Sequence, residues 1–293
     1  MQESPVLWLG IFINVCTNIV QRQNNVLFVL KMQNVCMILR NSGSNIDRFT
    51  LFNWCNVIFD IGFQISWILI FNYAFTSTMH TYELLGNVIY VIFDTNIIYT
   101  ITLMRFLLMA FRSWIDESKK WQLETNLNNR VYWNKMFGDY VDIYEAYEIV
   151  AKVFNPLILF CYIKTYIHTL FGILFRIQAG KVYDEGILKY LLTSFVSLIW
   201  LYKDVTLFIL LSVECEKLYS MMKEVQNICI QLAETRQCSD IQQNTCKNIV
   251  RHQIVNFKKM ELCGLFAVDA ALMLNFASII TSNIIVAFQF EFL

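Results

Sequence analysis

The sequence predicts an all-α, polytopic membrane protein, a bundle of six membrane-spanning helices forming a single domain over residues 1–293. Three observations support this fold class. Hydrophobic residues make up 57% of the chain and charged residues only 16%, whereas a typical soluble domain carries about 25% charged residues. Long apolar windows recur along the chain, and basic residues concentrate in the segments between particular windows. A soluble globular enzyme needs more charged surface than this chain offers.

The apolar windows define the predicted membrane spans. A helix needs about 20 mostly apolar residues to cross a hydrocarbon core about 30 Å thick. The windows that meet this test are residues 4–21, 51–75, 84–104, 153–175, 187–213 and 264–290. The first window follows no basic segment and has no small-residue cleavage site, so we interpret it as a span and not as a signal peptide.

The distribution of basic residues predicts the orientation of these spans. Segments 22–49, 111–150 and 214–263 together hold 16 of the 23 Lys and Arg residues. The short segments on the opposite side hold only Lys181, with Arg176 at a span boundary. Because cytoplasmic segments carry the excess of Lys and Arg, the three long segments are expected inside the cell. Both chain ends, including the C-terminus, are then extracellular.

The third long segment contains two apolar stripes at helical spacing. The first stripe consists of Leu218, Met221, Val225, Ile228 and Leu232, and the second of Ile249, Val250, Ile254, Phe257 and Met260. We therefore expect helices that run beyond the membrane and pack together in the cytoplasm. An internal helical bundle is the favoured interpretation, and a subunit interface remains open.

No motif for catalysis, metal binding or nucleic-acid binding occurs in the chain. The nine cysteines form no C-x-x-C pair, and the three histidines have no metal-ligand spacing. There is no Gly-rich phosphate loop and no G-x-S-x-G nucleophile motif. The net charge of zero provides no basic excess for nucleic acid. We predict a protein that is not an enzyme and that has no cofactor, metal site or nucleic-acid partner. The predicted extracellular C-terminus and the absence of an Asp-Arg-Tyr motif argue against receptors coupled to G proteins.

The last window carries a recognisable motif near its end. Ser282-Asn283 is followed by five apolar residues and then by Gln289-Phe290. This pattern resembles the C-terminal helix of insect gustatory receptors, in which Thr-Tyr, five apolar residues and Gln-Phe occur in the same order. Here Ser-Asn replaces Thr-Tyr.

Two further segments resemble the same family. Gly264, Phe266 and Asp269 are similar to its Gly-x-Phe-x-Asp/Asn segment, and residues 213–232 look like the cytoplasmic extension of its sixth helix. The family has seven spans and this chain has six predicted ones, so the resemblance implies a short member that lacks the first helix.

The resemblance implies a ligand-gated cation channel subunit in the plasma membrane that senses a small organic tastant. Family members form tetramers around a pore lined by the last helix, so related subunits and membrane lipid are the implied partners. The residues that this places at the pore or gate are Ile285, Phe288, Gln289 and Phe290. Apolar side chains at a constriction can close a channel by dewetting it.

A candidate ligand pocket lies in the outer halves of the other spans, where aromatic side chains accompany a few polar ones. Its candidate residues are Trp67, Tyr90, Asp94, Lys164, Tyr166 and Trp200. A charge inside a span is costly unless it is paired, so Asp94 and Lys164 are expected to contact each other. Lys203 and Asp204 are expected near the inner membrane boundary, where the lysine extends toward the headgroups.

Two other functional classes remain open. A secondary transporter would use Asp94, Lys164 and Lys203 as a coupling relay, although the internal helix repeats typical of transporters are not visible in the sequence. A truncated, non-conducting or structural subunit would account for a missing first helix.

The orientation can be tested with an epitope tag placed after Leu293. The asymmetry of basic residues predicts that antibody labels this tag on intact, unpermeabilised cells. Labelling only after permeabilisation would contradict both the orientation and the channel interpretation.

Overall fold

The computed structural model describes the backbone of residues 4–41, 46–75, 81–123, 130–182, 187–234 and 239–292. Within these ranges, side chains are described for residues 8–40, 48–66, 69, 91–120, 130–173, 195, 198–234, 239–286 and 289. The statements below refer to these residues.

Helices account for nearly all of the described chain, which confirms the predicted all-α fold class. The elements in chain order are α1 (Ser4–Val20), α2 (Arg22–Asn41), α3 (Ile46–Phe75), α4 (Thr81–Leu123), α5 (Arg130–Val182), α6 (Ile187–Glu234), α7 (Asp240–Asn256), β1 (Glu261–Leu262), β2 (Phe266–Ala267) and α8 (Ala270–Phe292).

Two segments differ from the sequence-based expectation. Residues 22–41, expected only as part of a connecting segment, form the helix α2, which continues α1 almost without interruption. The last helix begins at Ala270 and not at Gly264, because β1 and β2 pair as an antiparallel hairpin. Cys263 (φ 48°) and Gly264 (φ 75°) make the turn in the left-handed region, which a glycine adopts without steric cost.

By length and composition, two helical stretches of the described chain are long and apolar enough to cross a membrane: Val91–Lys120 and Arg130–Ile173. Two shorter apolar stretches are Trp8–Val20 and Ala270–Val286. The individual span boundaries remain sequence-based predictions.

The longest helices extend well beyond a bilayer core. At 1.5 Å per residue, α4, α5 and α6, with 43, 53 and 48 residues, are about 65, 80 and 70 Å long. A hydrocarbon core about 30 Å thick covers less than half of each. The prediction of helices that project past the membrane is therefore confirmed. Pro156 lies inside α5 and removes one backbone hydrogen bond from that helix.

The projecting parts of α4, α5 and α6 pack with α7 into a bundle that we call the inner bundle. Its centre is aromatic: Tyr140, Tyr147 and Tyr219 are each at most 2% exposed. Two side chains tie neighbouring helices to backbone carbonyls: Trp114 Nε1 donates to Met136 O at 2.9 Å, and Gln253 Nε2 donates to Met222 O at 2.7 Å. These two bonds satisfy two buried donors of the bundle, while the Tyr140 hydroxyl and both polar atoms of the Gln242 amide have no hydrogen-bond partner among the described residues.

Helix α2 attaches to the side of this bundle through an ionic contact with α5. Lys31 Nζ lies 2.6 Å from a carboxylate oxygen of Asp142 and 2.6 Å from one of Glu145. Asn34 Nδ2 donates to the other Asp142 oxygen at 3.0 Å. Desolvation alone would lower the pKa of Lys31, but its hydrogen bonds to the two carboxylates outweigh this and raise the pKa above its usual value.

The two apolar stripes differ in how far the structure buries them. The first is buried on α6, with Leu218, Val225 and Leu232 at most 3% exposed, as expected for an internal bundle. The second stripe is wrong at Ile254, which is 67% exposed. The buried face of α7 is largely polar and consists of Gln242, Thr245, Cys246, Ile249 and Gln253. A polar buried face cannot be recognised from hydrophobic periodicity.

The packing of α6 predicts the effect of truncating one side chain of the inner bundle. Leu218 is 0% exposed, so Leu218→Ala is expected to destabilise the protein by about 2–5 kcal/mol through lost burial and the cavity that remains. The check is the melting temperature of the detergent-solubilised protein. Lys223→Ala, at an exposed position of the same helix, is the control and should leave the melting temperature nearly unchanged. Equal effects of the two substitutions would contradict the assigned buried face.

Candidate functional site

Four helices bring charged and polar side chains together inside the predicted spans. We call this group the four-helix polar cluster. Its members are Asp60 and Gln64 on α3, Asp94 on α4, Lys164 and Thr165 on α5, and Lys203 and Asp204 on α6. Most of these side chains are almost completely buried, and the most accessible of the four ion-paired ones, Lys203, is only 13% exposed. Charges this deeply buried require partners.

The two lysines of the cluster each lie between the same two carboxylates. Lys164 Nζ is 3.8 Å from Asp94 Oδ1 and 3.5 Å from Asp204 Oδ2. Lys203 Nζ forms an ion pair with Asp94 Oδ2 and lies 3.2 Å from Asp204 Oδ1. The structure thus brings Asp94 and Lys164 together, as expected from the sequence. The result is a four-membered ring of alternating charge.

Lys203 and Asp204 were expected to extend toward the headgroups at the inner membrane boundary, but their side chains point into the bundle. Asp204 is 3% exposed, and both residues face α4 and α5, because α6 is rotated so that this pair points into the bundle. Lys203 Nζ also lies 4.4 Å from the ring centroid of Trp200 and 6.0 Å from that of Phe63, which adds cation–π attraction. Trp200, a candidate pocket residue, therefore packs against a member of the cluster.

Hydrogen bonds extend the ring to other side chains. Gln64 Nε2 donates to Asp94 Oδ2 at 2.8 Å, and Thr165 Oγ1 lies 3.4 Å from Asp204 Oδ2, the long end of a hydrogen bond. These contacts link α3, α4, α5 and α6 to one another. Because the removal of one charge leaves the buried ring with an uncompensated charge, each of its four members is expected to matter for stability.

Two acceptor atoms at the α3 side of the cluster have no hydrogen-bond partner in the part of the chain that the structure describes. They are Asp60 Oδ2 and Gln64 Oε1, and their residues are 6% and 1% exposed. Sequence reasoning did not select either residue. A signal was available, because the i, i+4 spacing of Asp60 and Gln64 places two polar side chains on one face of a helix within a predicted span.

Among the remaining predicted site residues, those whose side chains are described do not join the cluster. Half-buried Tyr166 accepts a hydrogen bond at its hydroxyl from Asn283 Nδ2 of α8 at 2.8 Å, so it contacts the last helix. Ile285 is 53% exposed, and Gln289 is exposed. The side chains of Trp67, Tyr90, Phe288 and Phe290 lie outside the described residues.

A second polar arrangement holds the segment between α7 and α8, residues 257–269, which we call the linker hairpin. The Tyr219 hydroxyl accepts a hydrogen bond from Met260 N at 3.0 Å and donates one to Val268 O at 3.2 Å. The Tyr147 hydroxyl donates to Lys258 O at 2.8 Å. Burial is the main cause that raises the pKa of both phenols above the usual value. Both therefore stay protonated and able to donate.

Two further contacts fix the turn and the end of the linker hairpin. Asn155 Oδ1 of α5 accepts a hydrogen bond from Cys263 N at 2.7 Å. Lys259 Nζ lies 2.9 Å from an Asp269 carboxylate oxygen and 3.5 Å from one of Glu216. The entry to α8 is thus bound directly to both α5 and α6, the same helices that carry the lysines of the four-helix polar cluster.

A bundle of long helices that extend past the membrane, with a buried ionic cluster in its apolar part, defines a multi-pass membrane protein. The chain matches the family model described as 7tm chemosensory receptor over residues 5–293, and it belongs to that family. This confirms, at the level of the family, the resemblance to insect chemoreceptors that the motif at residues 282–290 indicated.

Among solved structures, the chain is similar to the insect olfactory receptor OR5 from Machilis hrabei, whose structure was solved in complex with eugenol. The sequence identity is 13%, the match covers 98% of this chain and 88% of that one, and the TM-score is 0.48. No match to the chain was found among curated proteins.

The ring of alternating charge predicts energetic coupling between Asp94 and Lys164. Asp94→Asn and Lys164→Met are each expected to destabilise the protein by about 3–5 kcal/mol, because each leaves the buried ring with one uncompensated charge. The double variant should lose less than the sum, by about 0.5–3 kcal/mol. Melting temperatures of the purified variants measure this.

The control for this double-mutant comparison combines Lys164→Met with Asp116→Asn. Asp116 is exposed and lies on α4, 22 residues after Asp94. These two effects should add. If the effects of Asp94→Asn and Lys164→Met also add strictly, the two side chains do not interact.

Proposed function

We propose that this chain is a subunit of a ligand-gated cation channel in the plasma membrane that detects a small organic tastant. The observation that carries the proposal is the match to the chemosensory receptor family over residues 5–293. The gustatory assignment rests on the motif that ends in Gln289-Phe290.

We place the ligand next to the four-helix polar cluster. Asp94 and Lys164 are buried charged groups able to fix the orientation of a polar ligand group, and Trp200 provides an aromatic face beside them. Trp67, Tyr90 and Tyr166 are proposed as further pocket residues on the basis of their sequence positions. A few converging polar groups with aromatic surroundings are typical of sites for small organic molecules.

We place the pore at α8 and assign the subunit assembly to a tetramer. Along α8 of one chain, Ile285 is 53% and Val286 47% exposed, so an apolar face of this helix is not covered by its own subunit. Copies of α8 around an axis would cover it and form the constriction that Ile285, Phe288, Gln289 and Phe290 are proposed to line.

The surface of α7 supports an additional contact between subunits. Ile254 is 67% and Val255 71% exposed, so two adjacent large apolar side chains face outward on the inner bundle. We propose that this surface contacts a neighbouring subunit. At Ile254, a contact between subunits thus takes the place of the internal packing that was predicted from the apolar stripe.

The linker hairpin provides a mechanical connection from ligand to pore. A ligand that binds one arrangement of α5 and α6 more tightly shifts the population toward that arrangement. Because Asn155 and Tyr147 on α5 and Tyr219 on α6 hold the hairpin, such a shift moves the start of α8.

One observation favours a second candidate function. Lys203 joins Asp94 and Lys164 in a single connected cluster, which is the arrangement that a coupling relay of a secondary transporter requires. Currents that follow the gradient of permeant cations and stop without ligand support the channel. Ligand uptake that depends on an ion gradient, without such currents, supports the transporter. A surface-expressed chain with neither activity would be a non-conducting or structural subunit.

The pore assignment predicts that a charge at position 289 changes ion permeation. Gln289→Glu adds one carboxylate per subunit at the proposed constriction and should raise cation conductance and the preference for divalent over monovalent cations. Replacement of Phe290 by Ala should raise the basal current, because it removes apolar surface that closes the pore by dewetting. Whole-cell currents and reversal potentials in cells that express the chain, alone or with related subunits, measure both effects.

The matched control is Gln33→Glu, at an exposed position of α2, which should leave conductance and selectivity unchanged. Tyr73→Ala, outside the last helix, should also leave selectivity unchanged. If Gln289→Glu changes neither conductance nor selectivity while currents are present, the pore lies elsewhere.

A further inference from the structure

We propose that Asp60 and Gln64 on α3 form the recognition point for an organic ammonium group, so that the ligand of the four-helix polar cluster is a protonated amine. This inference rests on the proposed function, since it names the ligand class of the same site. It starts from two buried acceptor atoms that lack donors.

The two acceptors are placed to serve one ligand group. Asp60 Oδ2 and Gln64 Oε1 are buried and have no hydrogen-bond partner among the described residues, and their residues stand one helical turn apart on the same face of α3. The Gln64 amide is fixed in orientation, because its nitrogen donates to Asp94 Oδ2 at 2.8 Å. An ionised carboxylate and an amide oxygen can accept hydrogen bonds but cannot donate them. The group that completes the site must therefore be a donor.

The charge balance of the cluster selects a positively charged donor. Three carboxylates, those of Asp60, Asp94 and Asp204, face the two ammonium groups of Lys164 and Lys203, and the imidazole of His168 interacts electrostatically with Asp204. Both lysines are already shared between Asp94 and Asp204 at distances of 3.8 Å or less. Among the described side chains, none with a positive charge lies within ion-pair distance of Asp60. Because an uncompensated buried carboxylate is unfavourable, an incoming cation is stabilised there and a neutral hydroxyl much less.

The surroundings fit an organic ammonium better than a metal ion. Within the part of the chain whose side chains are described, no three His, Cys, Asp or Glu side chains converge closely enough to hold a metal. Phe63 lies three residues after Asp60 on α3, and its ring already faces one ammonium group, that of Lys203, at 6.0 Å. An aromatic face next to a carboxylate attracts an alkylammonium through its charge and its carbon atoms together.

Binding is tested on the purified full-length chain in lipid nanodiscs, with 2-phenylethylammonium chloride as the probe and 2-phenylethanol as its neutral counterpart. The ammonium should raise the melting temperature of the protein in a saturable way, and the alcohol should not. Asp60→Asn, which removes the charge at nearly constant shape, should weaken the apparent affinity for the ammonium about tenfold or more, as expected for the loss of a charge-assisted hydrogen bond. Asp116→Asn is the matched control and should retain the wild-type affinity.

Several results would overturn the proposal. Equal stabilisation by the alcohol would show that charge is not recognised, and unchanged affinity in Asp60→Asn would place the ammonium elsewhere. If sodium chloride, at the same concentration as 2-phenylethylammonium chloride, raises the melting temperature by the whole amount, the site takes an inorganic cation. If Asp60→Asn does not fold, the comparison of amine and alcohol on the wild-type chain decides, together with Asp60→Glu, which should keep ammonium binding.

The melting measurements, combined with the current recordings described under the proposed function, separate this inference from the channel function. Saturable ammonium binding without any current supports the recognition point and contradicts the channel. Ligand-evoked currents from neutral compounds, with no effect of the ammonium on melting, support the channel and contradict the recognition point.

Discussion

Charge buried in an apolar helix bundle must be neutralised within the bundle, and in this protein that requirement connects four helices. Asp94 and Asp204 come from α4 and α6, and Lys164 and Lys203 from α5 and α6, so the ring closes only when all three helices hold one rotation and one register. Gln64 adds α3 to the same set through its bond to Asp94. Buried ionic groups are weak contributors to net stability, but they can penalise alternative registers strongly. We therefore regard the cluster as the feature that specifies how the outer part of the bundle packs.

In the inner bundle, the burial of apolar side chains has the larger role. Its aromatic and aliphatic side chains are almost completely excluded from solvent, as seen for Tyr140, Leu218 and Ile249, and this excluded area supplies the larger share of the folding free energy. The two parts share α4, α5 and α6 as continuous helices. Since these helices run through both, the rotation set by the ionic ring in one part must agree with the buried faces of the other.

The sequence sufficed to predict the fold class, and at the site it was partly successful. The apolar windows and the stripe from Leu218 to Leu232 lie in helices, except that the last window begins six residues before its helix, in the linker hairpin. Periodicity fails where the buried face is polar, as on α7 with Gln242 and Gln253. It also does not show rotation about a helix axis, which is why Lys203 and Asp204 were assigned to the wrong environment. The i, i+4 spacing of Asp60 and Gln64 was visible in the sequence, but only the assembled helices show which of their acceptor atoms lack donors among the described residues.

The position of Pro156 has a consequence for stiffness along α5. A helix without interior proline bends as a uniform rod, whereas one missing backbone hydrogen bond concentrates bending within a single turn. In α5 this compliant turn lies next to Asn155, whose side chain holds the turn of the linker hairpin. Lys164 stands two turns further toward the other end, and Tyr147 more than two turns in the opposite direction. The weakened turn thus divides α5 into two stiffer segments that meet where Asn155 contacts the linker hairpin. A displacement of the segment that contains Lys164 would bend α5 at this turn, next to the entry to α8. The segment that contains Tyr147 would keep its packing in the inner bundle.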